Sequence, residues 1–229
     1  MRTLKVLAEY QKGELRVTRG IRQENTKQPR KSSPAGTQYN RLGMLVLASA
    51  SPRRQELLTN AGIPFKAQPA HINEDPLPRE DPRACAERLA REKAFAIAKL
   101  RPNDVVLGAD TVVVVNGQNL GKPADRADAA RMLRMLSGRT HVVITGVALV
   151  VAGQCSCGSD ATAVEMSDMS AEDIADYVAT DEPMDKAGAY AIQGIASRWI
   201  PRIQGDYSNV VGLPIALVWR MLKAAGVQP

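Results

Sequence analysis

Met44-Leu45-Val46-Leu47-Ala48-Ser49-Ala50-Ser51-Pro52-Arg53-Arg54-Gln55-Glu56-Leu57-Leu58 passes from strand to turn to helix within a few residues. The apolar run MLVLA reads as a short buried strand, and RRQELL as the first turns of a helix. Pro52 suits the first helical position, where a missing N–H costs nothing. The turn between them gathers anion donors: free N–H groups, the Ser49 and Ser51 hydroxyls, and the paired guanidinium groups of Arg53 and Arg54. Ser-Pro is also an ordinary helix cap, and adjacent arginines are often solvated. Yet bases sit poorly at the positive end of a helix dipole. Two of them there point to a bound anion, and so to a phosphate-bearing ligand.

Downstream, strand and helix signals alternate. A helix from Pro52 stops at Gly62, and IPFKAQPA reads as extended. Asp81-Pro82 caps a long helix over roughly 82–100. DVVLGADTVVVV is a β-branched strand turned by Asn116-Gly117. Helix 125–136 carries Met132, Leu133 and Leu136 on one face. HVVITGVALVV is a second strong strand, with residues 159–168 expected to pair with it. Ser170 and Asp173 cap a helix ending near Thr180, and residues 214–225 form a last helix. Hairpin-joined and helix-joined strands together predict an α/β fold with a mixed sheet.

The 229 residues are 45% hydrophobic, ample for a buried core. No apolar run approaches a membrane span, and no secretory signal is evident. The formal charge of +6 is concentrated in residues 1–43, which hold ten Lys and Arg against three Glu. The remainder holds 20 bases against 21 acids. The body is therefore not expected to bind nucleic acid. Residues 1–43 show no period and are expected to be a disordered or loose basic extension preceding a domain over 44–229. Cys85, Cys155 and Cys157 form no disulfide framework, which fits a reducing cytoplasm. With only His71 and His141 to complement them, a zinc site is not expected. Cys155-Ser156-Cys157 is expected near one end of a strand.

Asp110 stands out, a carboxylate inside a strand of valines, where burial is costly unless paired. Its alternative is a structural role at a bend beside Gly108. Lys122 lies in a glycine–proline loop after the hairpin, and Glu74 in an acidic loop. Lys93 follows Arg91 and Glu92 in a charge pattern typical of a solvated helix face. Gln193 has neighbouring glycines that allow close ligand approach. Combined, Arg53, Arg54, Lys93 and Lys122 would offset a triphosphate. Glu74 and Asp110 would supply oxygen ligands for Mg2+ or Mn2+, and one carboxylate would deprotonate water. No Walker-type loop is present.

SASPRRQELL, GADTVV, LGKP, LSGRTH, DEPMDKAGAYAIQG and GDYSNVVGLP occur in that order. Together they closely resemble the Maf family of nucleoside triphosphate pyrophosphatases, from Met44 to about Gly226. The resemblance implies an elongated mixed sheet flanked by helices, two lobes around a cleft, and usually a homodimer. It implies metal-dependent hydrolysis of a nucleoside triphosphate to the monophosphate and pyrophosphate, cleaning the nucleotide pool. The catalytic base falls on Asp110. The charge-bearing cleft residues fall on Ser49, Arg53, Arg54, Glu74, Lys93 and Lys122. Base choice falls on Arg53, Thr111 and Gln193, in the manner of the branch acting on dTTP and UTP. Asn73 departs from the pattern, where an acid is common. The alternatives are a nucleotide-binding regulator of septum formation without turnover, and a nucleic-acid protein using the basic leader.

Overall fold

The computed structural model describes residues 16–18 and 43–227. Eight strands form one mixed sheet: β1 (Arg16–Thr18), β2 (Leu45–Leu47), β3 (Lys66–Ala67), β4 (Val105–Val115), β5 (Gln118–Leu120), β6 (Thr140–Val151), β7 (Gln154–Glu165) and β8 (Arg202–Gln204). The order is β1-β7-β6-β4-β2-β3, with β5 also on β4 and β8 also on β7. β2 runs parallel to β3 and β4, and the remaining pairings are antiparallel. The helices are α1 (Pro52–Asn60), α2 (Pro82–Ala98), α3 (Arg126–Leu136), α4 (Ala171–Ala179), α5 (Tyr207–Val211) and α6 (Ile215–Ala224), joined near the C-terminal end by short 3-10 turns.

The long strands β4 and β6 run through two separate cores, the first of which β7 shares. At one end Val113, Val143 and Val164 pack beneath α3 and α4, with Leu133, Leu136 and Tyr177 fully buried. At the other, Leu107, Ala109, Val147 and Leu149 pack against Leu58 of α1 and Leu217, Val218 and Met221 of α6. Each fully buried leucine contributes about 1.5–3 kcal/mol. This is the elongated, two-lobed α/β arrangement expected, with the cleft midway along β4.

The opposite face of the sheet is covered by α2, which begins as expected at the Asp81 cap and Pro82. Gly108 and Gly146 lie directly under it. A Cβ on Gly108 would collide with the Ala90 carbonyl, and one on Gly146 with the Ala86 carbonyl. These glycines let the helix backbone settle onto the sheet.

Three sequence expectations change. Lys93 is buried on α2 rather than solvated, because the helix docks so closely. Within the leader expected to be loose, Arg16–Thr18 pairs with Cys155–Cys157 at the edge of β7. The rest of residues 1–42 lies outside the described residues. β7 begins at Gln154, earlier than the predicted pairing segment, so both cysteines lie inside the strand near its start.

Candidate active site

β4 is paired along its whole middle with β6, from Val106 to Val114. Its other edge meets β2 only at 105–107 and β5 only at 113–115. No described strand covers the stretch between. There the sheet edge opens into a cavity of about 630 Å³, within the range of small-molecule sites. Successive strand residues point to opposite faces. At an open edge, Asp110 and Thr111 nonetheless line the same cavity.

On the α2 side, the Lys93 ammonium donates to Asp110 Oδ1 at 2.7 Å and lies 3.0 Å from Glu74 Oε1. Lys93 and Asp110 are 6% and 7% exposed, so each needs the other. Burial alone would raise the Glu74 pKa. The bond and charge of Lys93, with Lys122 and Arg54 nearby, outweigh it and hold the carboxyl below its ordinary value. Asn73 accepts from the Asp75 N–H at 2.9 Å and so shapes the turn after Glu74. The loop is anchored further by Arg88, which forks onto Glu80 at 2.7 and 2.8 Å and reaches the Asp75 carbonyl.

On the other side, Arg54 donates to the Gly212 carbonyl at 2.8 Å, Ser49 Oγ at 3.2 Å and Thr111 Oγ1 at 3.1 Å. Burial pulls its pKa down from the ordinary value, with Asp110 and Glu74 opposing. Arg53 pairs with Asp185 at 3.4 Å. The arginines at the start of α1 are thus steadied by protein groups, not solely by the anion expected from the sequence. Ser51 precedes the helix without a side-chain cap, and its N–H donates to Ser49 Oγ at 3.2 Å.

Lys122 and Gln193 are exposed on the cavity rim. The cavity thus brings together Ser49, Arg53, Arg54, Glu74, Lys93, Asp110, Thr111, Lys122 and Gln193, all of the residues singled out in the sequence. It adds Asp185 and Lys186, whose motif was noted without a role.

A clamp around Gln193 had no signal in the sequence. Tyr177 OH accepts from the Ala191 N–H at 3.2 Å and donates to Glu182 Oε1 at 2.8 Å. Glu182 Oε2 accepts from the Ile195 N–H at 3.1 Å. Gly194 packs on that carboxylate with no room for a Cβ. Next to this turn, Tyr190 bonds His141 Nε2 at 2.7 Å. Burial pulls His141 down to about 3.

Among the described residues, no group of three or more His, Cys, Asp and Glu side chains converges to hold a metal ion. Glu74 and Asp110 offer two carboxylates bridged by Lys93. That set fits a hard divalent cation arriving with phosphate oxygens and water, the usual mode for Mg2+, rather than a preformed protein cage. No described helix is long and apolar enough to cross a membrane.

A sequence profile described as "Maf-like protein" matches residues 44–225. A dTTP/UTP pyrophosphatase from Koribacter versatilis is 58% identical, covering 82% of this chain and 98% of its own. One from Symbiobacterium thermophilum is 52% identical, covering 80% and 94%. A solved nucleoside triphosphatase, a dITP/XTP pyrophosphatase from Mycobacterium abscessus, superposes with a TM-score of 0.36 at 16% identity, over 55% of this chain and 74% of that one. That likeness is too loose to carry an argument. Profile and relatives agree over the strands and helices that build the cavity, and the chain belongs to the Maf family.

Proposed function

We propose that this chain hydrolyses nucleoside triphosphates, dTTP and UTP foremost, to the nucleoside monophosphate and pyrophosphate. The observation that carries the reading is the meeting of a Lys93-bridged carboxylate pair with the Arg54 guanidinium across one cavity. The names of the 52–58% identical relatives support the substrate.

A triphosphate brings about four negative charges, each costly to desolvate without compensation. Arg53, Arg54, Lys122 and Lys186 line the cavity as cations. Ser49 accepts from Ser51 and Arg54, which leaves its own proton for a phosphate oxygen. Lys93 holds Asp110 by one oxygen. The other is free to take a proton from water attacking the α-phosphorus. The new bond joins that water oxygen to the α-phosphorus. The bond between the α-phosphorus and the oxygen that bridges it to the β-phosphorus breaks, and that oxygen leaves with the electron pair on pyrophosphate. Glu74 and Asp110 would hold Mg2+ or Mn2+ together with the phosphates. That ion would supply charge neutralisation and a more acidic water. The Gln193 amide offers both a donor and an acceptor, which complements a pyrimidine edge presenting a carbonyl and an N–H.

Purified protein with Mg2+ and a panel of pyrimidine and purine triphosphates tests the proposal. Pyrophosphate and monophosphate should appear, fastest from dTTP and UTP. Nucleotide binding without turnover, or release of single phosphates, would overturn it.

The same reading makes 44–229 the catalytic unit and 1–43 a basic extension. It places the enzyme as a homodimer in the cytoplasm, where its substrates are. The free, buried Cys85, Cys155 and Cys157 suit that compartment.

A further inference from the structure

We propose that Tyr177 and Glu182 are positioning residues for Gln193, and that this pair sharpens the choice of base by fixing the turn that carries the Gln193 amide. The inference rests on the reading of the cavity as a triphosphate site in which Gln193 meets a pyrimidine edge, and it deepens that reading.

Gln193 stands at the tip of a tight turn. The Gly194 N–H donates to the Ala191 carbonyl at 3.1 Å, which makes Ile192 and Gln193 the two central residues. Ile192 packs against the core beneath α3 and α4, while Gln193 is exposed on the cavity rim. A single turn bond does little to offset the entropy of ordering four residues. What holds the amide in place has to come from outside the turn.

Both ends of the turn are tied to one pair of side chains. The Ala191 N–H can only donate, so the Tyr177 oxygen accepts at 3.2 Å. The Tyr177 proton then goes to Glu182 Oε1 at 2.8 Å. Burial first, and then this bond, raises the Tyr177 pKa, so the phenol keeps that proton. Glu182 Oε2 accepts from the Ile195 N–H at 3.1 Å. The residues just before and just after Ile192, Gln193 and Gly194 thus hang from one two-side-chain bridge. The bridge is itself held. Tyr177 is fully buried on α4, its ring 5.7 Å from that of Trp199. Lys186 donates to the Glu182 carbonyl at 2.6 Å and to Asp185, and Asp185 pairs with Arg53 of α1. The Glu182–Asp185 turn that places Gln193 is thereby also linked to the arginine side of the cavity.

Neither Tyr177 nor Glu182 lines the cavity, so any effect on base choice must pass through the turn. UTP and CTP have the same ring size and charge, but the carbonyl and N–H on one edge of uracil become an amino group and a bare ring nitrogen in cytosine. Steady-state kinetics on both nucleotides are measured for wild type, Gln193→Ala, Glu182→Ala, Tyr177→Phe and the Gln193→Ala, Glu182→Ala double variant. The UTP-to-CTP ratio of kcat/KM should fall about tenfold in Glu182→Ala and several-fold in Tyr177→Phe. The loss should lie in KM for UTP, with kcat within about twofold of wild type. In the Gln193→Ala background, Glu182→Ala should leave the ratio where Gln193→Ala alone puts it. The proposal is overturned if Glu182→Ala and Tyr177→Phe fold and keep the wild-type ratio, or lose activity equally on both nucleotides, while Gln193→Ala loses the preference. Should Glu182→Ala fail to fold in a thermal melt, Tyr177→Phe decides by the same ratio. An unchanged ratio in Gln193→Ala would overturn the inference by removing the base contact beneath it. Failure of the wild type to release pyrophosphate would instead sink the site reading itself.

Discussion

The two walls of the cavity, reached from neighbouring residues of β4, are built on opposite electrostatic plans. On the Asp110 side, charges face charges: Lys93 sits between Asp110 and Glu74, and little of its field is left over. On the Thr111 side, Arg54 is held by neutral oxygens alone, those of Gly212, Ser49 and Thr111. Its charge is positioned but not cancelled by a bonded carboxylate. A carboxylate pair that shares one lysine keeps one net negative charge, which suits proton transfer from water. An uncancelled guanidinium suits a phosphate chain. The same strand supplies both because its edge is open between β2 and β5.

The sharpest break of that contrast is Asp110→Asn, which keeps the shape and removes the base. Turnover should fall by about a thousandfold, while calorimetry shows nucleotide still bound; a variant retaining a tenth of wild-type turnover would remove Asp110 from the chemistry. Next is Lys93→Ala, which leaves buried Asp110 beside Glu74 without their shared cation. Breaking a buried pair in this way costs on the order of 3–5 kcal/mol, partly relieved by the exposure of Glu74. Urea unfolding at pH 7 reads that loss, and no change in midpoint would mean the pair is not formed.

Smaller effects are expected where the walls meet the rim. Tyr177→Phe removes the hydroxyl that links Ala191 to Glu182. Preference for dTTP over a purine triphosphate should drop several-fold as Gln193 loses its fixed turn, by about one hydrogen bond's worth. An unchanged preference would detach the clamp from selectivity. Smallest at neutral pH is the effect of His141, whose native pKa of about 3 lies below its unfolded value. The unfolded chain takes up a proton below about pH 6.5, and the native chain does not. This contribution is complete above that pH and is lost as pH falls toward 3, by up to about 1.4 kcal/mol per unit. Urea melts at pH 7 and pH 5 should show a smaller drop for His141→Gln than for wild type. Equal drops would contradict the assignment.

Local signals made much of this legible. Asp110 was conspicuous because a carboxylate in a run of valines has to be explained. The helix caps at Asp81 and Ser170 and the Asn116-Gly117 turn act within a few residues, so pattern reading reached them. The neighbours of Lys93 spell a solvated helix face, and only its place among the expected cleft cations points inward. Its burial depends on Gly108, distant in sequence, letting α2 sit against the sheet. The partners of Arg54 were invisible for the same reason, the Gly212 carbonyl lying 158 residues away. Between Glu182 and Val211 the chain runs in short 3-10 turns, a short strand and a five-residue helix. These have no sustained period, and the Tyr177–Glu182 clamp is tertiary throughout. The short strand at Arg16–Thr18 exists only by pairing with β7, and nothing in the composition of the leader marks it.

Turnover of dTTP or UTP in water enriched with oxygen-18 tests the central claim most directly. If the two walls direct water onto the α-phosphorus, mass spectrometry will find one heavy oxygen in the nucleoside monophosphate and none in pyrophosphate. Label in the pyrophosphate, or in released inorganic phosphate, would contradict the account.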